Sequence, residues 1–336
     1  MRITTNAILR NYKSNLSTTI NTLNNSRTKV MTQRSFNSVA ENPGAAARAS
    51  QLHRKYYKNQ DNLSMLGDVQ SRQDGQEDAM RQISDILKTI NKDYSVQALN
   101  GTNQTQEVRQ GYASALKEFQ QSMVLSLNAS YEDTFLFAGS DGKNPPFKLT
   151  DNGTITYRNV NVDVAKGTAD YNTLNTYSTE KLYVDLGLGL SLDDNNNVVP
   201  SSAFNMSLPG INAVGYGKDA DGISNNIIAL TGQMADLLNA ENFDSEAYEK
   251  LSTKLNNAST GILNQITELG VKSEFLTTTK DRLENTDISL QEQMVNVEGI
   301  DTAKAISDYM WNQYAYNAAL KVGTSILSPS FIDFMK

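Results

Sequence analysis

The sequence contains no cysteine, one histidine and one tryptophan in 336 residues. Without cysteine it cannot form a disulfide framework, a thiolate nucleophile or a cysteine-ligated zinc site. With His53 as the lone imidazole, no site that needs two histidines can be built. Long apolar runs are also missing, so no segment predicts a membrane-spanning helix. The first residues are polar and do not resemble a Sec-type signal peptide, so we expect a cytosolic protein or export by another route.

Acidic residues are almost absent from the first 60 positions, which contain ten Lys or Arg and one acid, Glu41. The whole chain carries a net charge of −7, so the remaining residues are strongly acidic. A basic segment can bind nucleic acid or a membrane surface, and residues 53–58 are the best candidate. No arginine-rich motif or repeat of stacking aromatics supports this. We expect no nucleic-acid or membrane partner, and instead attraction to the acidic segment 283–303 of this chain or of a neighbouring copy.

The first 40 residues predict a helix that needs a partner. Half of them are Asn, Ser, Thr or Gln and none is acidic, so the helix should be marginal alone. Its apolar residues form a narrow stripe typical of a coiled-coil seam. Four of them recur every seven residues, Leu9, Leu16, Leu23 and Val30, and Ile20 lies between the second and the third. Asn42-Pro43 then predicts the start of a second helix, by an N-cap followed by proline at the first helical position. That helix should run to about Leu99 and break at Asn100-Gly101, and a third should span 108–127.

Helical periodicity returns at about Ser224 and is strongest from Leu255 to Val297, where an apolar residue recurs every seven positions. This spacing predicts one long helix packed on other helices of the chain. A last helix follows Gly299 and should stop near Pro329. Between the helical regions, residues 136–221 are rich in turn-forming residues and predict a β-rich insert with strands at 154–157 and 181–184. The predicted fold class is therefore mainly α with a β-rich insert.

Residue types that bind ions or phosphate occur in three loops, but each lacks part of the required pattern. Residues 217–222 place two carboxylates at EF-hand spacing without the bidentate acid, which predicts a turn. Residues 187–190 lack the third glycine and the following helix of a phosphate loop, and residues 193–197 resemble an acidic loop tip. We assign no metal, cofactor or catalytic residue and expect no enzyme. An enzyme acting through the insert remains an alternative that requires a carboxylate pair in a pocket there.

Two terminal motifs make the chain similar to the flagellin superfamily. Residues 31–49 resemble its Leu-Ser-(Ser/Thr)-Gly-Lys-Arg-Ile-Asn and Asp-Asp/Asn-Pro-Ala-Ala-Ala segments, with Gln33 where glycine is usual and Glu41 for the first aspartate. The opening residues 1–6 resemble the family's start, and residues 300–308 resemble its carboxy-terminal Asp-X-Ala-Glu-Ala block. The matching positions are Arg34, Asn37, Asn42, Pro43, Ala45, Ala46, Ala47, Arg48, Asp301, Ala303 and Ala305.

Within that superfamily, residues 135–140 followed by 144–147 resemble a Tyr-Leu-Phe-Ala/Ser-Gly…Pro-Phe segment of the hook–filament junction proteins, with Phe137, Ala138 and Gly139 as the matching positions. This resemblance implies a flagellar structural protein that is exported through the flagellar type III channel and works outside the cell. Its implied partners are hook-associated protein 1 on the hook side, flagellin on the filament side, further copies of itself in a ring, and a cytosolic export chaperone at the carboxy-terminal helix.

The resemblance also implies three domains: terminal polymerisation segments (1–42 with 298–336), a helical rod (43–135 with 222–297) and an outer β-rich insert (136–221). We expect the terminal helices to order on assembly and to bury an interface formed by Leu9, Leu16, Ile20, Leu23, Val30, Ile306, Met310, Leu320 and Leu327. A filament flagellin and, more distantly, a coiled-coil surface adhesin are the alternatives. A flagellin should polymerise when seeded, and an adhesin should keep its termini ordered.

Overall fold

A computed structural model of the chain describes residues 5–100 and 105–327, with the side chains of residues 5, 6, 100, 326 and 327 outside that description. Helices dominate both ends, as the periodicity predicts. The α-helices are α1 Thr5–Thr32, α2 Pro43–Thr89, α3 Ser95–Asn100, α4 Gln106–Leu127, α5 Ala169–Ser178, α6 Gly210–Val214, α7 Ile227–Asn239, α8 Ser245–Glu298 and α9 Thr302–Leu327. Two compact units result, one of residues 1–60 with 284–336 and the other of residues 61–283.

The second predicted helix is interrupted by one change of hydrogen-bond pattern. A π-helical turn, Ile90–Tyr94, lies between α2 and α3, and α3 ends at Asn100. Residue 101 of the predicted break lies outside the described residues. Short π-helical turns of this kind insert one residue into an otherwise regular helix. The predicted helical segment is therefore confirmed to Asn100.

Helix α8 confirms the heptad prediction. The apolar residues at seven-residue spacing are buried from Leu255 to Leu290, while Val297 near the end of the helix is half-buried. A stripe at this spacing stays on one side of a helix, so burial of its members from Leu255 to Leu290 requires other elements along that length. The buried members are Leu255, Ile262, Leu269, Leu276, Leu283 and Leu290.

The strands are short and antiparallel. They form two two-stranded sheets, β1–β2 and β6–β7, and one three-stranded sheet with the order β3-β4-β5. In the three-stranded sheet Lys148 pairs with Thr156, and Tyr157 pairs with both Phe147 and Val160. The strands are β1 Ser130–Tyr131, β2 Thr134–Phe135, β3 Phe147–Leu149, β4 Ile155–Tyr157, β5 Val160–Asn161, β6 Tyr183–Val184 and β7 Phe204–Asn205.

The region predicted as a β-rich insert also contains α5, α6 and a 3₁₀ turn at Pro200–Ser202, which the sequence pattern did not predict. Helix α5 starts at an N-cap, where the Thr168 hydroxyl accepts a hydrogen bond from the Tyr171 backbone N–H at 3.2 Å. Leu174 is its one fully buried residue. A helix that buries so little has no apolar stripe, so its period could not be detected.

The insert and the surrounding helices of unit 61–283 share one hydrophobic core. Phe137, Phe147 and Tyr157 are fully buried in the same cluster as Met123 of α4 and Leu230 of α7. Helices α4 and α7 pack closely, because Gly232 lies against the Gln120 side chain, whose amide donates to the Ile228 carbonyl at 3.0 Å. The short strands are thus fixed by side chains buried against helices.

Candidate assembly interface

Within unit 1–60 with 284–336, α1 and α9 pack against each other in antiparallel orientation. The Tyr12 hydroxyl donates to the Ala319 carbonyl at 3.2 Å near one end of the pair. Near the other end, the Asn312 side-chain amide donates to the Ser26 hydroxyl. The polar amino-terminal helix, which the sequence predicted to order on assembly, therefore has the partner that its marginal composition requires in its own chain.

The α9 side of this contact consists of small and aromatic residues. Its less exposed positions recur at alternating steps of four and three, the spacing of a helix-pair seam. Gly323 is buried, and a Cβ at this position would overlap the Tyr12 ring and hydroxyl. A residue without a side chain therefore makes room for the Tyr12 side chain against α9. These seam positions are Ala305, Tyr309, Asn312, Tyr316, Ala319 and Gly323.

The predicted interface residues separate into two groups in the structure. Those of α1 are all half-buried on the side that faces α9: Leu9, Leu16, Ile20, Leu23 and Val30. Those of α9 lie outside the seam, with Ile306 43%, Met310 63% and Leu320 40% exposed. The side chain of Leu327 and Pro329 lie outside the described residues. Hydrophobicity alone did not identify the α9 face that pairs with α1, because that face is built from alanine, glycine, tyrosine and one asparagine.

Two further aromatic residues enlarge the exposed apolar face of α9. Trp311 and Tyr314 are each 69% exposed and lie edge to face, with ring centroids 6.4 Å apart. They border a shallow cleft together with Met310. Sequence reasoning missed both, although their spacing from Ile306 and Met310 places them on the same side of the helix. Exposed patches of this kind mark interaction sites.

The segment between α1 and α2 is held to the junction of α8 and α9 in the same unit. The Ser35 backbone N–H donates to the Glu298 carbonyl at 2.7 Å. The Glu298 carboxylate lies 2.5 Å from His53 Nε2 and 3.8 Å from the Arg34 guanidinium. The lone histidine, His53, is thus half-buried and paired with a carboxylate. Arg34 of the family motif serves the same contact.

Several other family-motif positions set the local backbone. Gln33, where glycine is usual in the family, has φ of 55°. This is the left-handed region that glycine adopts without strain, so the substitution keeps the turn at a conformational cost. The Asn42 carboxamide accepts from the Ala45 N–H at 3.1 Å, and the Asp301 carboxylate accepts from the Lys304 N–H at 3.1 Å. Both are helix N-caps.

The remaining motif positions of this unit are mainly exposed. Asn37 accepts a hydrogen bond from the Thr32 hydroxyl at 3.1 Å. Ala45, Ala46 and Ala305 are half-buried, while the other members lie on the surface: Pro43, Ala47, Arg48 and Ala303. As a group, the motif positions thus form helix starts and the intervening turn.

In unit 61–283, the junction-type motif joins the end of the helical segment to the β-rich region. Phe137 and Ala138 are fully buried. The Phe137 carbonyl accepts from the Tyr157 hydroxyl at 3.0 Å and from the Gly210 N–H at 2.9 Å. Burial raises the pKa of Tyr157, so this hydroxyl remains a donor. Hydrogen bonds from both sides therefore fix the motif backbone.

Gly139 is required by a carboxylate that occupies the space of a side chain. It has φ of 67°, and a Cβ there would overlap the Glu180 carboxylate. That carboxylate accepts from the Ser140 N–H at 2.9 Å and from the Arg158 guanidinium at 2.8 Å. The guanidinium also lies 4.0 Å above the centre of the Tyr177 ring. The predicted motif thus closes onto a mostly buried ion pair that sequence reasoning did not identify.

The ion-binding candidates use their polar groups internally. One Asp219 oxygen accepts from the Asp221 and Ile223 N–H groups and the other from Lys254, whose hydrogen bond is the main cause of the lowered pKa of Asp219. This geometry supports the turn predicted for residues 217–222. The Asp185 carboxylate fills the backbone nest of Gly187 and its neighbours.

The Asp193 carboxylate closes its own loop tip by accepting backbone hydrogen bonds from Asn195 and Asn197. In residues 5–100 and 105–327, no group of three His, Asp or Glu is arranged to hold a metal ion. Across the same residues, no helix has the length and apolar content to span a membrane.

Comparison with known proteins supports the predicted resemblance. Residues 3–141 match the family model described as the bacterial flagellin N-terminal helical region. The predicted similarity to the flagellin superfamily is confirmed over these residues. This match includes the segment between α1 and α2 and residues 135–140 of the junction-type motif, and it ends before residues 144–147. No curated protein sequence matches the chain.

Solved structures show the fold. A protein from Vibrio parahaemolyticus described as a flagellar hook-associated protein is 17% identical, with a TM-score of 0.58 over 77% of this chain and 100% of that one. The hook-associated protein 3 of Legionella pneumophila is 13% identical, with a TM-score of 0.49 over 75% and 98%. FlgL of Bacillus cereus is 17% identical, with a TM-score of 0.48 over 73% and 99%. The first of these establishes that the fold is shared.

Proposed function

We propose that this chain is a structural component of the bacterial flagellum that joins the hook to the flagellin filament, as a protein of the hook-associated protein 3 type. The observation that carries the proposal is the exposed apolar face of α9, formed by Ile306, Met310, Trp311 and Tyr314, on a helix already paired with α1. A helix pair with one further apolar face is suited to packing against other copies in a polymer. The role is structural and involves no catalysis.

Two other observations favour a junction protein over a filament flagellin. The motif around Gly139 resembles the hook–filament junction proteins, and in this chain it is built into the core of unit 61–283. The protein from Vibrio parahaemolyticus with the shared fold is described as hook-associated. The proposed partners are hook-associated protein 1, flagellin, further copies in a ring and a cytosolic export chaperone at the carboxy-terminal helix.

The proposed domain assignment follows from this function. Residues 1–42 with 298–336 form the polymerisation segments, 43–135 with 222–297 the helical domain, and 136–221 the outer part. The predicted interface residues have two roles in this assignment. Those of α1 stabilise the helix pair, whereas Ile306, Met310 and Leu320 contact neighbouring subunits.

Deletion of the gene tests the proposal. Cells without the protein should build hooks but release flagellin into the medium, and the wild-type gene should restore attached filaments. If the deletion instead abolishes the filament protein itself, so that hooks remain and no flagellin is found in cells or medium, the chain is a flagellin. Normal filaments in the deletion strain would refute both functions.

A binding measurement tests the surface directly. Trp311 is the one tryptophan of the chain, so its emission reports on the exposed face of α9 alone. Addition of purified hook-associated protein 1 or flagellin should shift that emission to the blue as the ring leaves water. Met310→Ser should weaken this response, while Leu125→Ser, a control substitution at an exposed position of α4, should leave it unchanged. An unaltered emission spectrum under conditions of complex formation would contradict the assignment of this face.

A further inference from the structure

A second surface of unit 1–60 with 284–336 is formed by the start of α2 and the end of α8. The two helices contact each other here through polar pairs. The Gln60 amide donates to Asp287 at 2.6 Å, and His53 lies 2.5 Å from Glu298. Ala49, Leu52 and Leu290 are buried close to these pairs in sequence. These contacts define which side of each helix faces the other.

The side of α2 that faces away from α8 is basic. Helical periodicity places Arg54 and Lys58 about 100–160° around the helix from His53 and Gln60, and both are exposed. Arg48 and Lys55 flank them and are exposed as well. Residues 43–60 include these four Lys or Arg and no acid. The positive charge of this face therefore has no acidic residue on its own helical segment to balance it.

The side of α8 that faces away from α2 is acidic and apolar. Ile288 is 57% and Val295 68% exposed, and the exposed Glu292 lies between them on the same side of the helix. Residues 284–298 contain four Asp or Glu and no Lys or Arg. Two of these acids, Asp287 and Glu298, pair with α2, whereas Glu292 is exposed beside the apolar residues.

We infer that these two faces bind each other between copies of this chain, so that the basic face of α2 in one copy docks on the acidic and apolar face of α8 in the next. The charges are complementary, and each face lies outside the contact between α2 and α8. A contact between two different patches is heterologous and repeats head to tail, which produces a ring or a helical array. This inference rests on the proposed function and names a second copy of this chain as the partner.

Complementary charge reversal tests the contact in the full-length protein. The first variant carries Arg54→Glu and Lys58→Glu, and the second carries Glu292→Lys. Each alone brings like charges together and should weaken self-association about ten-fold in sedimentation at low salt, since the pairs involved are exposed. An equimolar mixture should recover association, because each interface in an alternating array then joins opposite charges. Higher salt should weaken association of the wild-type protein.

Matched reversals at exposed positions of α2 outside these faces, Lys88→Glu and Asp68→Lys, should leave association at the wild-type level. Circular dichroism checks that every variant is folded. If the single variants associate like the wild type, or if their mixture fails to recover, the two faces do not bind each other.

Expression in the deletion strain separates this inference from the proposed function. If the wild-type gene restores filament attachment but the mixture of variants does not recover self-association, the inference is overturned and the proposed function stands. Recovery in the mixture without wild-type complementation would overturn the function and keep the contact.

Discussion

Gly139→Ala tests whether the junction-type motif depends on the carboxylate that lies against it. Two costs are expected. The residue has φ of 67°, where a side chain costs about 1–2 kcal/mol, partly offset by about 0.4–1 kcal/mol from the smaller entropy of the unfolded chain. The new methyl group would also displace Glu180 from its hydrogen bonds with Ser140 and Arg158. Loss of these charge-assisted bonds should add about 1–3 kcal/mol.

Gly153→Ala is the matched control, because Gly153 has φ of 77° and no other group near its Cβ position. This variant bears the backbone cost alone and should lose less than about 1.5 kcal/mol. Urea unfolding followed by circular dichroism gives both free energies. Hydrogen exchange at the Ser140 amide, which donates to Glu180, should accelerate in Gly139→Ala and stay unchanged in Gly153→Ala.

A double-mutant cycle completes the test. In a Glu180→Ala background the carboxylate is absent, so Gly139→Ala should cost no more than Gly153→Ala does in the wild type. If the two glycine variants lose equal stability in the wild-type background, or if the excess cost at Gly139 persists without Glu180, the role assigned to the carboxylate is wrong.

Three further predictions follow from burial and backbone geometry. Burial raises the pKa of Tyr157 and Tyr248, so folding should lose stability as pH rises above about 10, where the unfolded chain ionises. Tyr248→Phe should reduce this alkaline loss of stability at little cost near neutral pH, because the Tyr248 hydroxyl has no hydrogen-bond partner in the described chain. Tyr157→Phe should cost about 1 kcal/mol, because it removes the hydrogen bond to the Phe137 carbonyl. Urea titrations at pH 7 and pH 11 compare the two variants. In thermal unfolding, Gln33→Val should destabilise unit 1–60 with 284–336 by about 1–2 kcal/mol, and Gln33→Gly should not. Equal effects of the two substitutions would contradict backbone strain at this turn. Leu16→Asp removes about 1 kcal/mol of apolar burial and adds a charge to the seam, so it should expose α1 to protease. Leu320→Asp should leave the helix pair protected and abolish filament attachment. If Leu320→Asp exposes α1 to protease and Leu16→Asp does not, the assignment of the two faces is wrong.

The sequence by itself determined the features that repeat along the chain. The seven-residue spacing from Leu255 to Leu290 predicted α8 and its buried side, because a helix returns to the same direction about every two turns. Asn42-Pro43 fixed the start of α2 through N-capping and Gly299 marked the end of α8, because both signals act within a few residues. The motif around Gly139 identified the junction-type segment through its residue types alone.

Tertiary structure decided which surfaces meet. The α9 face that packs on α1 is marked by Ala319 and Gly323, whose contribution is the space they leave for Tyr12, while the more hydrophobic Met310 remains exposed. The Glu180 carboxylate that makes a glycine necessary at position 139 lies 41 residues farther along the chain. Periodicity describes one helix at a time and local chemistry describes one turn at a time. A seam or a buried ion pair requires the approach of two distant segments, and only packing in three dimensions specifies that approach.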